Sequence, residues 1–162
     1  MEPRRWKVLR DDSGTGLIEM ALVSILLLAM MFGIIQMSFV LYTYDFVSYA
    51  AREATRYAVV RGSTSCTNTP NLTNCNATAA QIQTYVQNLG YPGLTSSNLT
   101  AATTWSQASA TIPTTWTVCP AECDEPGNQV VVVVNYPFAL RIPFVPNSTL
   151  NITSTSTMVI SQ

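Results

Sequence analysis

Residues 20–44 read MALVSILLLAMMFGIIQMSFVLYTY and contain no charged side chain over 25 consecutive positions. An α-helix of about 20 such residues spans the roughly 30 Å hydrocarbon core of a bilayer. The run is too long and too evenly apolar for the buried helix of a water-soluble domain. The stretch therefore predicts a membrane-spanning helix near the N-terminus.

The charges on either side of this run predict its orientation. Four basic residues precede it: Arg4, Arg5, Lys7 and Arg10. The positive-inside rule then keeps the N-terminus in the cytoplasm and places everything after about residue 44 outside. The alternative is a cleaved secretory signal, because residues 48–50 (SYA) imitate a cleavage site, but such a signal has an apolar core of only about 7–15 residues.

The helix is predicted to continue beyond the membrane, from about residue 16 to residue 61. Residues 42–60 contain neither Gly nor Pro, and Gly62 is a natural stop. At 100° per residue, this segment separates into a polar, an aromatic and a small-residue face. The small face contains Ala50, Ala51, Ala54 and Ala58. We interpret it as a helix packing face that holds the chain's own domain, while self-association in a filament remains open.

The composition changes after Gly62. Residues 62–162 carry four charges, Glu122, Asp124, Glu125 and Arg141, and are rich in Thr, Ser and Asn. The pattern predicts one helix over residues 78–89, strands over 114–118, 129–136 and 150–161, and a short edge strand over 141–145. Five consecutive valines, residues 130–134, predict burial on both faces of a sheet that lies against the long helix. The predicted fold class is α+β, with the long N-terminal helix packed on a small antiparallel β-sheet.

Composition also excludes several functions. The chain has no histidine, a single lysine and a net charge of −1. Nucleic-acid binding is disfavoured because no basic patch can neutralise phosphates. Imidazole catalysis and imidazole metal ligation are excluded, and the three outer carboxylates cluster within residues 122–125, too close for a separated acid–base pair. We therefore predict a protein that is not an enzyme and has no cofactor or metal.

The four cysteines, Cys66, Cys75, Cys119 and Cys123, all lie in the segment predicted to be exported. They allow three pairings, and their spacing favours the two local ones, Cys66–Cys75 and Cys119–Cys123. A four-cysteine zinc site is the alternative. The spacings fit zinc ribbons poorly, and an exported location favours oxidation.

The junction before the apolar run is the most specific feature of the chain. Residues 11–20 read DDSGTGLIEM, so Glu19 stands at the edge of the apolar run. A carboxylate costs about 2–3 kcal/mol at mid-bilayer, and intramembrane acids usually have a partner and a role. The alternative is that Glu19 lies at the cytoplasmic interface and is merely tolerated there.

The Gly14–Thr15 boundary, followed by Glu19, resembles the prepilin-peptidase site of type IV pilins and pseudopilins. The wider pattern resembles the TadE-like family of tight-adherence (Flp) pilus systems. The resemblance rests on residues 18–23 (IEMALV), 32–35 (FGII), 50–58 (AAREATRYA), 130–138 (VVVVVNYPF) and 152–158 (ITSTSTM). It covers the N-terminal 50 residues and the last 35, whereas residues 62–128 look individual to this protein.

The resemblance implies a minor pilin-like subunit for Tad-type pilus biogenesis, with a pilin-like fold. Residues 1–14 would be a cytoplasmic leader, 15–61 a transmembrane helix with an amphipathic extension, and 62–162 an extracytoplasmic domain. A prepilin peptidase would cut after Gly14, and the new amino group of Thr15 would pair with Glu19 to set subunit register. The implied partners are other pilus subunits, the Tad assembly machinery, the peptidase and membrane lipid. The implied location is the bacterial cytoplasmic membrane, with incorporation into a pilus.

A second hypothesis comes from a different class of protein. The chain could be a permanently anchored extracellular binding module in which Glu19 has no function. Its neutral Thr- and Asn-rich surface suits contact with carbohydrate or with another surface. Co-purification with pilus components distinguishes the two hypotheses.

Overall fold

The computed structural model describes residues 13–109, 115–143 and 146–161. The helices are α1 (Ser13–Val59), α2 (Ser65–Asn68) and α3 (Ala79–Asn88), with a 3₁₀ turn at Ser96–Asn98. The strands are β1 (Thr100–Ala108), β2 (Trp116–Val118), β3 (Gln129–Leu140) and β4 (Ser148–Val159). The α+β class and the long helix packed on an antiparallel sheet are confirmed.

Helix α1 dominates the molecule. It contains 47 residues, which corresponds to about 70 Å at 1.5 Å per residue. Only its second half packs on the sheet, because burial in α1 is concentrated from Thr43 onward. The basic residues of the expected leader, Arg4, Arg5, Lys7 and Arg10, lie outside the described residues.

The strands form one sheet in the order β2-β1-β3-β4, and all neighbours are antiparallel. Strand β3 is central: it pairs with β1 from Asn135 back to Gln129 and with β4 over its whole length. Helices α1 and α3 lie on one face, where α1 covers β3 and β4 and α3 covers β1. This arrangement makes the upper half of α1 the second layer of the core.

Alternation along β3 separates its valines into two sets. Val130, Val132 and Val134 are fully buried beneath the helices, as period-two geometry requires. Val131 and Val133 point to the other face and are only partly buried. The prediction of burial on both faces is therefore wrong. No second layer covers this face within the described ranges, and threonines flank the valines there instead.

The strand predicted over residues 129–136 continues through Pro137 to Leu140. Proline lacks a backbone N–H, so a central strand normally excludes it. Ile160 N–H donates to Asn128 O (2.8 Å), and alternation from that pair turns the Pro137 nitrogen away from β4. Strand β1 has already ended at the pair Thr100↔Asn135, so no neighbour needs the missing donor.

The edge strand predicted over residues 141–145 is wrong where it can be compared. Residues 141–143 follow β3 as loop, and residues 144–145 lie outside the described ranges. The sequence pattern divides at Pro137 into two strands, whereas the backbone continues through Pro137 as one strand to Leu140. The backbone instead turns between residues 140 and 148 to start β4.

Other elements compare closely with their predictions. The helix predicted over residues 78–89 is α3, which begins with a capping box between Thr78 and Gln81 and is followed by Gly90 at φ 51°. The strand predicted over 150–161 is β4, and that over 114–118 is β2, with residue 114 outside the described ranges. Strand β1 was not predicted. Its sequence, TAATTWSQA, has few large apolar residues and forms a strand through its pairing with β3.

Candidate functional site

The first turns of α1 carry the residues singled out at the junction. Gly14 and Thr15 are both exposed, and the bond between them lies in the first turn of the helix. The first four N–H groups of a helix lack intrahelical partners, so this turn unwinds more easily than the turns in the interior of the helix. The expected cleavage bond therefore lies at a helix end, where fraying is easiest.

Glu19 is exposed on the second turn of α1. It has no hydrogen-bond or ion-pair partner among the residues that the structure describes. Thr15 and Glu19 are four positions apart, which places them on one face with a rise of about 6 Å between their Cα atoms. Helical side chains tilt toward the N-terminus, so the Glu19 carboxylate leans toward Thr15.

The segment after Glu19 is long and apolar enough to cross a membrane. Its most apolar 18-residue window has a mean hydropathy of 2.5, and none of that window is buried within the protein. Ser24 and Ser38 hide their hydroxyls by donating to Ala21 O (2.8 Å) and Ile34 O (3.0 Å) on the helix itself. The lower half of α1 therefore presents a surface that suits lipid or other apolar helices.

The small-residue face of α1 is occupied by the chain's own domain. Ala50, Ala51 and Ala54 are fully buried and Ala58 nearly so, in one cluster with the valines of β3. Small side chains let the helix approach the sheet closely. Within a single chain this face has no surface left for a neighbouring subunit.

The aromatic face of α1 packs on α3 and on the loop after it. Phe46 stacks on Tyr91 with ring centroids 4.2 Å apart, and Tyr57 stacks on Tyr85 at the same distance. The Arg61 guanidinium lies 3.8 Å from the centroid of the Tyr57 ring. Burial raises the pKa of the Tyr85 hydroxyl, and the Glu53 carboxylate raises it further. The sequence places Tyr85 on the helix predicted over residues 78–89, but it does not reveal that Tyr85 and Tyr91 contact α1, because nothing in their spacing links them to it.

The four cysteines form two disulfides at the end of the domain farthest from the apolar segment. Cys66 is joined to Cys75, and Cys119 to Cys123. This is the local pairing that the spacing favours, and it leaves no free cysteine within the described ranges. No cluster of three metal-ligating His, Cys, Asp or Glu side chains occurs there either.

The second disulfide borders the acidic loop. Glu122 accepts a hydrogen bond through Oε1 from the first N–H of α3, at Ala79 (3.2 Å). Asp124 is buried, and its Oδ2 has no partner among the described residues. Burial raises the pKa of the Asp124 carboxyl; a hydrogen bond from its own backbone N–H opposes the shift, and Glu122 and Glu125 add to it. The three acids of residues 62–162 therefore lie in one loop.

At the opposite end, the domain meets the apolar segment itself. Gln36 Nε2 donates to Arg141 O (3.1 Å), and Tyr42 OH donates to Pro92 O (3.2 Å). Next to the Tyr42–Pro92 contact lies an open groove of about 600 Å³, and its lining is almost entirely apolar. The groove is lined by Ile34, Ile35, Ser38, Phe39, Tyr42, Pro92 and Gly93. Sequence reasoning did not foresee it, because its two walls lie about 50 residues apart in the chain.

A comparison with known protein families matches the part of the chain that contains Gly14, Thr15, Glu19 and the apolar run. Residues 14–56 match the family model described as TadE-like protein. No curated protein and no solved structure matches the chain. The matched segment begins at the expected cleavage site, includes the apolar span and ends in the buried half of α1. The resemblance to the TadE-like family is thus confirmed over residues 14–56.

Proposed function

We propose that the protein is a minor pilin-like (pseudopilin) subunit that serves biogenesis of a Tad-type pilus. The observation that carries this proposal is the TadE-like match over residues 14–56. The exposed apolar half of α1 also supports the proposal. A pilin-like subunit needs such a helix surface, first to span the membrane and then to contact neighbouring subunits. Its role is structural rather than catalytic, and its partners are other pilus subunits and the assembly machinery.

The proposal includes removal of the leader by a prepilin peptidase after Gly14. The first turn of α1 must unwind to enter a protease site, and glycines at positions 14 and 16 lower the cost of unwinding it. Cleavage removes the four basic residues of the leader. It also creates a positively charged amino group on Thr15, one helical turn from Glu19.

The Thr15 amino group and the Glu19 carboxylate then neutralise each other within the apolar layer. A charge-assisted pair offsets the cost of burying either group alone. The same pairing between one subunit and the next fixes their axial register. The free-energy cost of placing the unpaired Glu19 carboxylate in the membrane thus favours binding of an incoming subunit that pairs with it.

N-terminal sequencing of the membrane fraction tests the processing step. Cells with the peptidase should yield a chain that begins at Thr15, and cells without it should yield the uncut chain. A Gly14→Leu variant should remain uncut, while Gly33→Leu, in the middle of the span, should be cut normally. A chain that keeps residues 1–14 in the presence of the peptidase contradicts the proposal.

Glu19→Gln and Glu19→Leu test the register. Both variants should insert in the membrane yet support few or no pili, counted by electron microscopy. Glu53→Gln is the matched control, since that carboxylate pairs with Arg56 (3.2 Å) outside the apolar run. Normal pilus numbers with Glu19→Leu would overturn the register role.

The open face of the sheet favours a second candidate, an anchored binding module. Thr104 and Thr157 flank Val131 there, and Thr155 lies beside Val133, so this part of the face is uncharged. Such a surface suits carbohydrate or another envelope surface. Affinity purification of the tagged chain decides between the two: pilus components should co-purify with a pseudopilin, and their absence favours the binding module.

A further inference from the structure

The domain contacts α1 at a level that lies within or close to the membrane-spanning part of the helix. Among the described residues, the lowest contacts between the domain and α1 involve Gln36, at Arg141 O, and the groove walls at Ile34 and Ile35. The apolar run extends above this level, since Met37, Phe39 and Leu41 are 60%, 54% and 63% exposed. Side chains of this size would be left in water if the bilayer ended below the domain.

Two placements of the bilayer fit the helix. If the hydrocarbon ends at Gln36, about 20 residues of helix place its inner edge near Gly16, and Glu19 lies inside it. If Glu19 instead lies at the inner edge, the hydrocarbon reaches about residue 40 and the lower end of the domain is immersed by about 6–9 Å. The headgroup layer on each side is about 5–8 Å thick, so the lower end of the domain contacts lipid in both placements.

The chemistry of this end matches a lipid interface. We define the membrane-side rim as Tyr91, Pro92, Gly93 and Arg141. Tyr91 is partly exposed while stacked on Phe46, and tyrosine is typical of the headgroup level. Arg141 is exposed and is the only basic residue after Arg61. The acids Glu122, Asp124 and Glu125 lie at the other end of the domain, where Asp124 O accepts from Ser63 N–H.

We propose that the membrane-side rim is a lipid-binding surface. The groove between α1 and residues 92–93 takes an acyl chain of the outer leaflet, and the Arg141 guanidinium binds a lipid phosphate. The groove opens directly onto the membrane-spanning surface of Ile34 and Ile35, so a chain can enter it without crossing water. This inference rests on the proposed membrane anchorage and is independent of the pilus role.

Electron paramagnetic resonance on the full chain in vesicles of phosphatidylglycerol and phosphatidylcholine tests the rim. One extra cysteine at a time carries a nitroxide: Pro92→Cys at the rim, Leu28→Cys in the span and Gln107→Cys at the far end of β1. Relaxation by oxygen and by a water-soluble nickel chelate reports the depth of each label. We expect position 92 to read at or just below the phosphate level, position 28 deep in the hydrocarbon and position 107 in water.

The possible outcomes distinguish failure of the rim proposal from failure of the proposed membrane anchorage. If position 92 reads like position 107 while position 28 reads deep, the rim proposal is overturned and the anchorage stands. If position 28 reads aqueous, the anchorage fails and the rim proposal fails with it. Spin–spin broadening at position 92 that disappears on dilution with unlabelled chain would identify a second copy as the occupant and would also overturn the proposal.

A charge variant tests the phosphate contact. In the Pro92→Cys background, Arg141→Gln should raise the access of the nickel chelate to the label at least twofold, because the rim loses its hold on the headgroups. Arg52→Gln is the control. It also removes one exposed positive charge, but Arg52 lies about 24 Å farther along α1 than Gln36, which marks the level of Arg141. An Arg141→Gln variant with unchanged chelate access would overturn the role of Arg141.

Discussion

Ala54 shows how tightly α1 lies on the sheet. Its side chain is fully buried in the cluster that joins α1 to β3. The surrounding side chains fill the space around a single methyl group, so the helix cannot accept a larger residue there without moving. The alanines of α1 therefore set the distance between the two layers of the domain.

Ala54→Leu should destabilise the domain by about 1–3 kcal/mol, because overpacking forces side chains off their rotamers and shifts the backbone. Denaturant unfolding of the full chain in mild detergent, followed by near-ultraviolet circular dichroism, measures the change. Ala21→Leu is the matched control, since Ala21 is exposed in the apolar segment and has room for the added carbons. Equal stability of Ala54→Leu and the wild type would contradict the packing described.

Asp124 makes stability depend on pH. Because burial raises its pKa in the folded protein, folding favours the protonated carboxyl. The charged form destabilises the fold at neutral pH, and this cost is relieved as the pH falls through the raised pKa. Asp124→Asn should therefore raise the melting temperature at pH 7, and the gain should shrink as the pH approaches 4.

Glu125→Gln provides the control for this measurement. Glu125 is exposed and only adds to the shift at Asp124, so its removal should give a smaller gain with the same pH trend. A gain for Asp124→Asn that is independent of pH would show that the substitution acts through packing rather than through charge.

Among the elements, the segment between α1 and α3 depends on a covalent link. It contains only the four-residue helix α2, and the Cys66–Cys75 bridge closes it over a sequence separation of 9. In the chain-entropy account, a loop of that length contributes about 2–3 kcal/mol to stability. The link compensates for a segment with few buried side chains.

The double variant Cys66→Ser/Cys75→Ser should lose about 2–3 kcal/mol, and hydrogen exchange should accelerate first in residues 62–78. The Cys119–Cys123 bridge closes a shorter loop. The double variant Cys119→Ser/Cys123→Ser should therefore lose less stability, about 2 kcal/mol. Mass spectrometry with proteolysis under non-reducing conditions checks the pairing in both cases. A larger loss from the second pair would contradict this ordering.

Sequence patterns predicted the elements whose signal is local. Helix α1 follows from an uncharged run and α3 from its caps, and both agree with the structure within a few residues. Strand β1 and the end of β3 could not be predicted, because their stability comes from neighbouring strands rather than from their own residues. The same distinction holds at the site: Glu19 stands out in sequence, whereas the contact of Gln36 with Arg141 depends on how the domain docks.

At the scale of the molecule, the core and the apolar segment are separable along α1. Burial in α1 is concentrated from Thr43 onward, and the lower half contributes only partly buried side chains such as Val40. The domain should therefore fold without the apolar segment. The upper half of α1, by contrast, belongs to the core and cannot be removed.

A chain beginning at residue 42 should be soluble, helical and cooperatively unfolding by circular dichroism. A chain beginning at residue 52 loses Phe46, Val47, Ala50 and Ala51 from the core and should be largely unfolded. Size-exclusion chromatography distinguishes a compact monomer from an expanded or aggregated chain. A folded product from the shorter chain would show that the helix contributes less to the core than its burial indicates.

The change of surroundings along α1 also governs which substitutions the helix tolerates. Before about residue 42, side-chain volume is free and polarity is restricted, so Leu, Ile, Phe and Met should exchange with one another in a saturation library. Beyond it, at Ala50, Ala51 and Ala54, volume is restricted, so only Gly or Ser should fit in place of alanine, and Gly should cost about 1 kcal/mol in helix propensity. A single unbroken helix should thus tolerate two different sets of substitutions, and the change from one set to the other should occur where the domain begins to pack on it.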